Sequence, residues 1–195
     1  MRSSILIIYT GGTIGMKTDA ATGALVPFDF SGIYDEFPSL KRLNVDIEVL
    51  TMSPVIDSSN VAPSNWVTLA ELIRDNYDRY DGFVVLHGTD TMAYTSSALS
   101  YLIQNSPKPI IITGAQKPIS MEITDAKTNL LDSLRFAAYP DAHGVTIVFN
   151  GKIIAGTRAK KVHSKSFNAF DSINFPVLAT IRNNKIVHYV KDSCP

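Results

Sequence analysis

The chain is organised around the stretch Gly82-Phe83-Val84-Val85-Leu86-His87-Gly88-Thr89-Asp90-Thr91. Its apolar first half is typical of a strand that is buried on both faces of a parallel sheet. Its second half changes abruptly to hydroxyls, a glycine and one carboxylate, and a small-residue segment with helical character follows at residues 92–103. Open α/β sheets bind ligands at the carboxyl edge of their strands, so the pattern places residues 87–91 at such an edge. The alternative is that Thr89 or Asp90 only caps the helix, by accepting bonds from its unpaired backbone N–H groups.

The composition indicates one globular domain without a strongly charged surface. The chain has 195 residues, which suffices for a sizeable core, and 18 basic side chains balance 18 acidic ones. The neutral balance argues against nucleic acid or a membrane surface as the main partner. Cys194 is the only cysteine, so an internal disulfide and a cysteine-based metal site are excluded. Residues 1–4 show no signal-peptide pattern and no apolar run approaches the roughly 20 residues of a membrane helix, so we expect a cytoplasmic protein.

Further apolar runs predict strands on either side of residues 82–86. These runs lie at residues 5–9, 45–49, 109–113 and 145–149. Helical patterns lie between them at residues 63–80, 92–103 and 125–138. Strands that alternate with helices predict an α/β fold with a mostly parallel sheet and helices on both faces.

Polar side chains, most of them hydroxyls, follow four of the predicted strands. They are Thr10 and Thr13, Ser58 and Ser59, Thr89 and Asp90, and Thr113. The carboxyl ends of parallel strands lie at one edge of a sheet, so we expect these groups to converge on one site. Four independent helix caps would produce the same pattern and are the alternative.

A site built from hydroxyls and one carboxylate suggests covalent acyl transfer. A hydroxyl nucleophile needs a base, because it holds its own proton tightly at neutral pH. The Gly-x-Ser-x-Gly elbow is missing, which argues against a hydrolase of that type. His87 is one candidate base, although its position directly behind the polar tip favours a structural role. A lysine is another candidate, if desolvation lowers its pKa and Asp90 orients it, but composition does not choose between Lys160 and Lys161.

Two longer motifs carry a resemblance to a known family. The first is Tyr9-Thr10-Gly11-Gly12-Thr13-Ile14-Gly15-Met16, and the second is Asp81-Gly82-Phe83-Val84-Val85-Leu86-His87-Gly88-Thr89-Asp90-Thr91-Met92-Ala93-Tyr94. Together they resemble the N-terminal domain of the bacterial-type L-asparaginases, most nearly their cytoplasmic type I branch. The resemblance extends from Tyr9 to about Tyr189. It implies a catalytic domain over residues 1–190, with residues 191–195 as the start of a linker, and the family's smaller C-terminal domain absent from this chain.

The resemblance implies that the chain hydrolyses L-asparagine to L-aspartate and ammonia. The nucleophile would be Thr13, which would attack the side-chain amide and form an acyl-enzyme. The family's second threonine triad would consist of Thr89, Asp90 and Lys161. The substrate would be held by Asp57, Ser58, Ser59, Gly88 and, through its backbone, Ala115. The resemblance implies no metal or organic cofactor, and it implies a homo-oligomer, a dimer or a tetramer, in the full-length form.

Two positions depart from the family pattern. Leu25 stands where the family usually carries a tyrosine, so either Tyr34 or another group substitutes for that tyrosine or activation of Thr13 is impaired. Lys160 replaces the threonine that precedes the catalytic lysine in allosteric members, so no allosteric control is predicted. Two other functions are left open. One is a non-catalytic domain that binds aspartate, asparagine or a partner subunit, and the other is the ammonia-producing subunit of a tRNA-dependent amidotransferase, which shares this domain.

Overall fold

The computed structural model describes residues 2–19, 21–28, 30, 33 and 37–190. The strands are β1 Ser3–Tyr9, β2 Met16–Thr18, β3 Leu25–Pro27, β4 Val45–Thr51, β5 Gly82–Leu86, β6 Pro109–Thr113, β7 Gly144–Phe149, β8 Lys152–Ala155, β9 Ala159–Lys161, β10 Phe170–Ser172, β11 Ala179–Arg182 and β12 Lys185–His188. The α-helices are α1 Pro63–Asn76, α2 Met92–Leu102 and α3 Ala126–Ala137. Short 3-10 helices lie at Thr13–Gly15, Pro38–Arg42, Ser58–Asn60 and Tyr77–Arg79.

The central sheet has the strand order β12-β11-β8-β7-β6-β5-β1-β4. Its half from β4 to β7 is parallel, and β8, β11 and β12 run antiparallel to their neighbours. The turn from β7 to β8 is made by Asn150 and Gly151, both at positive φ, as a two-residue hairpin requires. The predicted mostly parallel sheet is therefore confirmed.

Helices cover both faces of the sheet, as the sequence predicted. On one face, α1 and α2 pack Leu69, Ile73 and Leu99 into a core cluster that includes Phe83 from β5. On the other face, α3 packs Leu130 and Leu134 into a second cluster with Val84 and Ile111. Strands β5 and β6 are buried along their whole length, because each is covered on both sides. Full burial of one such side chain stabilises the fold by about 1.5–3 kcal/mol, so these strand ends are held firmly in place.

The position of β1 creates a crevice at the carboxyl edge of the sheet. The chain leaves β1 for β4 on one side and then continues with β5 on the other side of β1. Such a reversal of direction opens a crevice between the two strands at their carboxyl ends, where open α/β sheets bind ligands. The loop after β1 and the loop after β5 therefore face each other across this crevice.

Some predictions fall outside the residues that the structure describes. The linker predicted at residues 191–195 lies there, as do Cys194 and Tyr34. The domain boundary after residue 190 therefore stays a prediction.

A buried ion pair on α3 contains an aspartate whose pKa is raised. The guanidinium of Arg135 donates to Asp132 Oδ1 at 2.8 Å and to Asn184 Oδ1 at 2.8 Å, which ties α3 to the turn between β11 and β12. The Asp132 side chain is only 9% exposed. Burial raises the pKa of Asp132 to about 6, and the nearby Arg135 charge offsets only part of this effect.

The raised pKa of Asp132 predicts a specific pH dependence of stability. Folding favours the neutral acid, so the stability that this group contributes is complete below its unfolded pKa of 3.8 and is lost as the pH rises through about 6. Asp132→Asn has no carboxyl group that can ionise at this position. As the pH rises from 4 to 7, the unfolding free energy of the variant should therefore increase relative to that of the wild type by on the order of 2–3 kcal/mol. Urea unfolding at several pH values measures this difference. Asp46→Asn, at an exposed ion pair with Arg2, is the control and should follow the wild type. Parallel pH profiles for Asp132→Asn and the wild type would contradict the assignment.

Candidate functional site

The loops that follow β1, β4, β5 and β6 meet at the carboxyl edge of the sheet, and glycines set how closely they approach. A Cβ atom on Gly12 would lie 2.5 Å from the backbone nitrogen of Gly88. A Cβ atom on Gly88 would lie 2.3 Å from Ser58 Oγ, and one on Gly114 would lie 2.4 Å from the carbonyl oxygen of His87. Side chains cannot occupy such distances, so the four loops touch through glycine backbone. The predicted convergence of the strand tips is confirmed.

Two of the predicted hydroxyls tie strands together instead of facing the crevice. Thr10 Oγ1 donates to the carbonyl of Leu86 at 2.9 Å, and Thr113 Oγ1 donates to the carbonyl of Val148 at 2.7 Å. Both threonines are buried. The expectation that all the tip hydroxyls line one site is therefore wrong for these two, because neighbouring strand carbonyls already engage them.

Thr13 begins a 3-10 turn directly after the contact between Gly12 and Gly88. Gly12 adopts a φ of 86°, and Ile14 is fully buried beneath the turn. The phenol of Tyr9 donates to the carbonyl of Gly12 at 3.4 Å, which supports the turn from below. Thr13 itself is partly exposed, and none of the described residues hydrogen-bonds to its hydroxyl. The Thr13 hydroxyl is thus held at the crevice and is available to a ligand.

Thr89, Asp90 and Lys161 form one hydrogen-bonded group. The ammonium of Lys161 donates to Thr89 Oγ1 at 2.8 Å and to Asp90 Oδ1 at 2.8 Å. The Lys161 side chain is only 19% exposed, whereas that of Asp90 is 64% exposed. Lys160 is exposed, because alternation along β9 directs adjacent side chains to opposite faces. The structure therefore places Lys161, and not Lys160, against Thr89.

The helix-cap interpretation of this stretch is wrong. The residue at the N-cap of α2 is Thr91, and it makes no side-chain capping bond. Its hydroxyl instead donates to the carbonyl of Ser58 at 2.7 Å, which joins the loops after β4 and β5. The side chains of Thr89 and Asp90 face Lys161, so their polar groups belong to the crevice.

Asp57, Ser58 and Ser59 form a tight turn beside Gly88. Asp57 Oδ1 accepts a bond from the backbone N–H of Ser59 at 2.9 Å. This backbone hydrogen bond lowers the pKa of Asp57 and keeps its exposed carboxylate charged. Ser58 is buried against Gly88, and Ser59 is exposed. The turn therefore presents a fixed negative charge next to backbone and serine donors.

Two residues that the sequence did not predict also reach this edge. Gln116 Oε1 lies 3.4 Å from Thr89 Oγ1, and its amide nitrogen donates to the carbonyl oxygens of Ser164 and Ser166 at 3.0 and 3.2 Å. The backbone N–H of Gln116 donates to both carboxylate oxygens of the buried Asp125, at 3.0 and 2.9 Å. Asp125 thereby fixes the loop that contains Ala115. The sequence feature that could have predicted Gln116 as a site residue was its position shortly after a buried strand.

His87 lies behind the crevice and does not reach the hydroxyls in it. It is 3% exposed, and its ring nitrogens bond to the carbonyl of Gly88 at 2.7 Å and to Thr95 Oγ1 at 3.0 Å. Burial lowers the pKa of His87, so the ring is neutral at physiological pH. The structural interpretation of His87 is confirmed.

The predicted departure at Leu25 lies in a small hairpin beside the site. Leu25 begins β3, pairs with Thr18 of β2 and is 51% exposed. An alkyl side chain supplies no hydroxyl at this position.

Two further observations concern only the described residues. They contain no cluster of three or more histidine, cysteine, aspartate or glutamate side chains arranged to hold a metal ion. They also contain no helix with the length and apolar character needed to cross a membrane.

Comparisons with known proteins agree on one family. The family model described as "Asparaginase, N-terminal" matches residues 4–193. L-asparaginase 1 of Escherichia coli (strain K12) is 42% identical over 178 residues, which are 91% of this chain and 53% of that protein. The thermostable L-asparaginase of Thermococcus kodakarensis has a TM-score of 0.89 at 35% identity, covering 98% of this chain and 58% of that one. A probable cytoplasmic L-asparaginase of Campylobacter jejuni has a TM-score of 0.84 at 30% identity, covering 97% and 57%. The chain thus spans about half the length of the curated relatives it matches.

The close approach at Gly12 predicts a large cost for adding one methyl group. Gly12 and Gly23 both adopt positive φ, at 86° and 69°, but only Gly12 has a neighbour within 4 Å of an added Cβ. Gly23→Ala should therefore lose about 1–2 kcal/mol of unfolding free energy from backbone strain alone. Gly12→Ala should lose a further ~1–3 kcal/mol, because its methyl group would overlap the backbone of Gly88. Urea unfolding of the two variants measures the difference, and equal losses would show that the two loops do not touch there.

Proposed function

Because the chain belongs to the asparaginase family, whose N-terminal domain it matches, we propose that it hydrolyses L-asparagine to L-aspartate and ammonia through a threonine acyl-enzyme. One observation carries the proposal. The ammonium of Lys161 contacts both Thr89 Oγ1 and Asp90 Oδ1 at 2.8 Å, and the loop that contains Thr89 touches the loop that contains the unengaged Thr13 hydroxyl through Gly88 and Gly12. A nucleophilic hydroxyl and a basic side chain joined to a second hydroxyl are the parts that acyl transfer requires.

Thr13 is assigned as the nucleophile. Its oxygen attacks the carbon of the side-chain amide, and the hydroxyl proton passes through the side chains of Thr89 and Lys161 to the amide nitrogen. The carbon–nitrogen bond then breaks, the nitrogen leaves as ammonia, and the aspartyl group remains bonded to Thr13. A water molecule attacks this ester, releases L-aspartate and supplies the proton that restores the Thr13 hydroxyl. The carboxylate of Asp90 holds the Lys161 ammonium next to Thr89 throughout.

The turn at Asp57 is assigned to the charged end of the substrate. L-asparagine carries an α-ammonium and an α-carboxylate, so it needs one anionic group and several donors. Asp57 supplies a carboxylate whose lowered pKa keeps it charged. Ser58, Ser59 and the backbone N–H of Gly88 supply donors beside it. The backbone at Ala115, which Asp125 holds through the next residue, is assigned to the carboxamide end.

The proposal extends to the organisation of the protein. Residues 1–190 would form the catalytic domain, and residues 191–195 would begin the linker to a second domain. The functional form would be a cytoplasmic homo-oligomer, a dimer or a tetramer, that acts on a small molecule. The match to 53% of L-asparaginase 1 of Escherichia coli supports the two-domain organisation, and the description of the Campylobacter jejuni relative supports the location.

Replacement of the nucleophile tests the proposal directly. Thr13→Ala should reduce ammonia release from L-asparagine by at least about 10³-fold, because no acyl-enzyme can form without the hydroxyl. Thr18→Ala, at an exposed threonine of the neighbouring hairpin, is the control and should retain full activity. Equal rates in Thr13→Ala and the wild type would refute the nucleophile, and a wild type that binds L-aspartate in calorimetry without turnover would refute hydrolysis by this chain.

The two adjacent lysines provide a matched pair of variants. Lys161→Met removes the ammonium from Thr89 and Asp90 while keeping a side chain of similar length, so kcat should fall by about 10²–10⁴-fold. Lys160→Met changes the exposed neighbour and should leave kcat within about twofold, because a surface charge outside the site contributes little. Ammonia release measures both rates, and circular dichroism confirms that both variants are folded. Similar losses in the two variants would contradict the assignment of Lys161.

A further inference from the structure

Three hydrogen bonds in series, here called the relay, run behind the crevice from Trp66 to the Gly88–Thr89 peptide. The indole nitrogen of Trp66 lies 3.0 Å from Thr95 Oγ1. The same hydroxyl lies 3.0 Å from His87 Nε2, and His87 Nδ1 lies 2.7 Å from the carbonyl oxygen of Gly88. Thr95 is 1% exposed and His87 is 3% exposed, so water does not compete for these groups.

The chemistry of the groups determines which one donates and which one accepts in each hydrogen bond of the relay. An indole N–H can only donate, so Thr95 Oγ1 accepts from Trp66. A carbonyl can only accept, so His87 Nδ1 carries the proton that binds Gly88. A neutral imidazole has one N–H, so His87 Nε2 is an acceptor, and the hydroxyl of Thr95 donates to it. All donors therefore point from Trp66 towards the crevice.

The last bond of the relay, from His87 to Gly88, orients the backbone of the site. The Gly88–Thr89 peptide is trans, so its C=O and N–H point in opposite directions. Because the Gly88 carbonyl points back to the buried imidazole, the Thr89 N–H points away from that imidazole. Among the described residues, no acceptor is found for this N–H. A donor to the carbonyl oxygen also strengthens the N–H of the same peptide as a donor, because hydrogen bonds in series polarise one another.

We propose that His87, Thr95 and Trp66 are positioning residues, which hold the Gly88–Thr89 peptide so that the Thr89 N–H donates to the carbonyl oxygen of the substrate amide as negative charge develops there. This inference rests on the proposed hydrolysis of L-asparagine. Such a donor acts mainly in the transition state, where the oxygen carries most charge, so the three residues affect kcat more than KM. None of them touches the substrate.

Two variants at residue 95 separate the effect of the hydrogen bonds from the effect of side-chain packing. Thr95→Val keeps the shape of the side chain but removes the hydroxyl that joins Trp66 to His87, whereas Thr95→Ser keeps the hydroxyl. For Thr95→Val we expect kcat to fall about tenfold with KM changed less than about twofold, since a weakened donor costs less than the 10²–10³-fold loss of a whole one. Thr95→Ser should stay within about twofold of the wild type in both constants. Equal kcat values in the two variants would overturn the proposal.

Trp66→Phe is the second variant, for the case that Thr95→Val does not fold. It removes the indole N–H together with part of the ring, and it leaves the bonds from Thr95 to His87 and from His87 to Gly88 in place. It should lower kcat in the same direction as Thr95→Val, by a smaller factor, and again with KM unchanged. An increase in KM with unchanged kcat would show a packing effect on substrate binding and would overturn the positioning role.

A spectroscopic readout tests the relay independently of turnover. In protein labelled with ¹⁵N at the histidine ring, the long-range ¹H–¹⁵N spectrum should show His87 with its proton on Nδ1 and none on Nε2. The backbone ¹⁵N shift of Thr89 should move in Thr95→Val and stay in place in Thr95→Ser, because it reports the hydrogen bond to the preceding carbonyl. A proton on Nε2, or identical Thr89 shifts in the two variants, would overturn the relay.

The two kinds of measurement separate this proposal from the proposed function. If the wild-type protein releases no ammonia, hydrolysis by this chain is refuted, and the spectra alone decide the relay. In that case L-aspartate is titrated, and the Thr89 amide should respond in the wild type and in Thr95→Ser but more weakly in Thr95→Val. An equal response in all three proteins, or in none, would overturn the positioning role.

Discussion

The site depends on the backbone contact between Gly12 and Gly88. A Cβ atom on Gly12 would lie 2.5 Å from the Gly88 nitrogen, so the two loops can approach this closely only because Gly12 lacks a side chain. Thr13 and Thr89 are the next residues in each loop, and their separation is therefore set by this contact. Gly88 also lies against Ser58, which brings the substrate-binding turn to the same point. One pair of glycines thus assembles three loops.

The sheet makes such a contact reproducible. Strands β1 and β5 pair in parallel from Ile5 to Tyr9, and both are buried. A slip along the strand would bring polar residues from beyond its ends into the buried sheet, so burial along the whole length of β5 fixes where this strand ends. The helices on the two faces then support the edge from above and below. The loops can be made of small and polar residues because the strands, and not the loops, determine their position.

The strands and the polar residues at their carboxyl ends could be predicted from the sequence alone. The contacts between loops across that edge of the sheet were predicted less well. Buried strands show as apolar runs, and their polar tips stand next to them, so the crevice loops were visible without a structure. The choice between Lys160 and Lys161 depended on family resemblance, because three residues of β9 do not show which face meets α2. Gln116 was missed because its partners, Ser164 and Ser166, lie far along the chain. Helix α1 was predicted to reach residue 80, but it ends at Asn76 and the chain tightens into a 3-10 turn.

The direction of the relay behind the crevice also restricts how protons move in the site. A general base must offer an unshared electron pair to the proton it removes. His87 has no such pair available, because Nε2 accepts from Thr95 and Nδ1 uses its proton to bind Gly88. Trp66 ends the chain with a group that can only donate, so the relay cannot reverse to accept a proton from the crevice. The histidine therefore orients the peptide, and the proposed path of the protons runs through the side chains of Thr89 and Lys161.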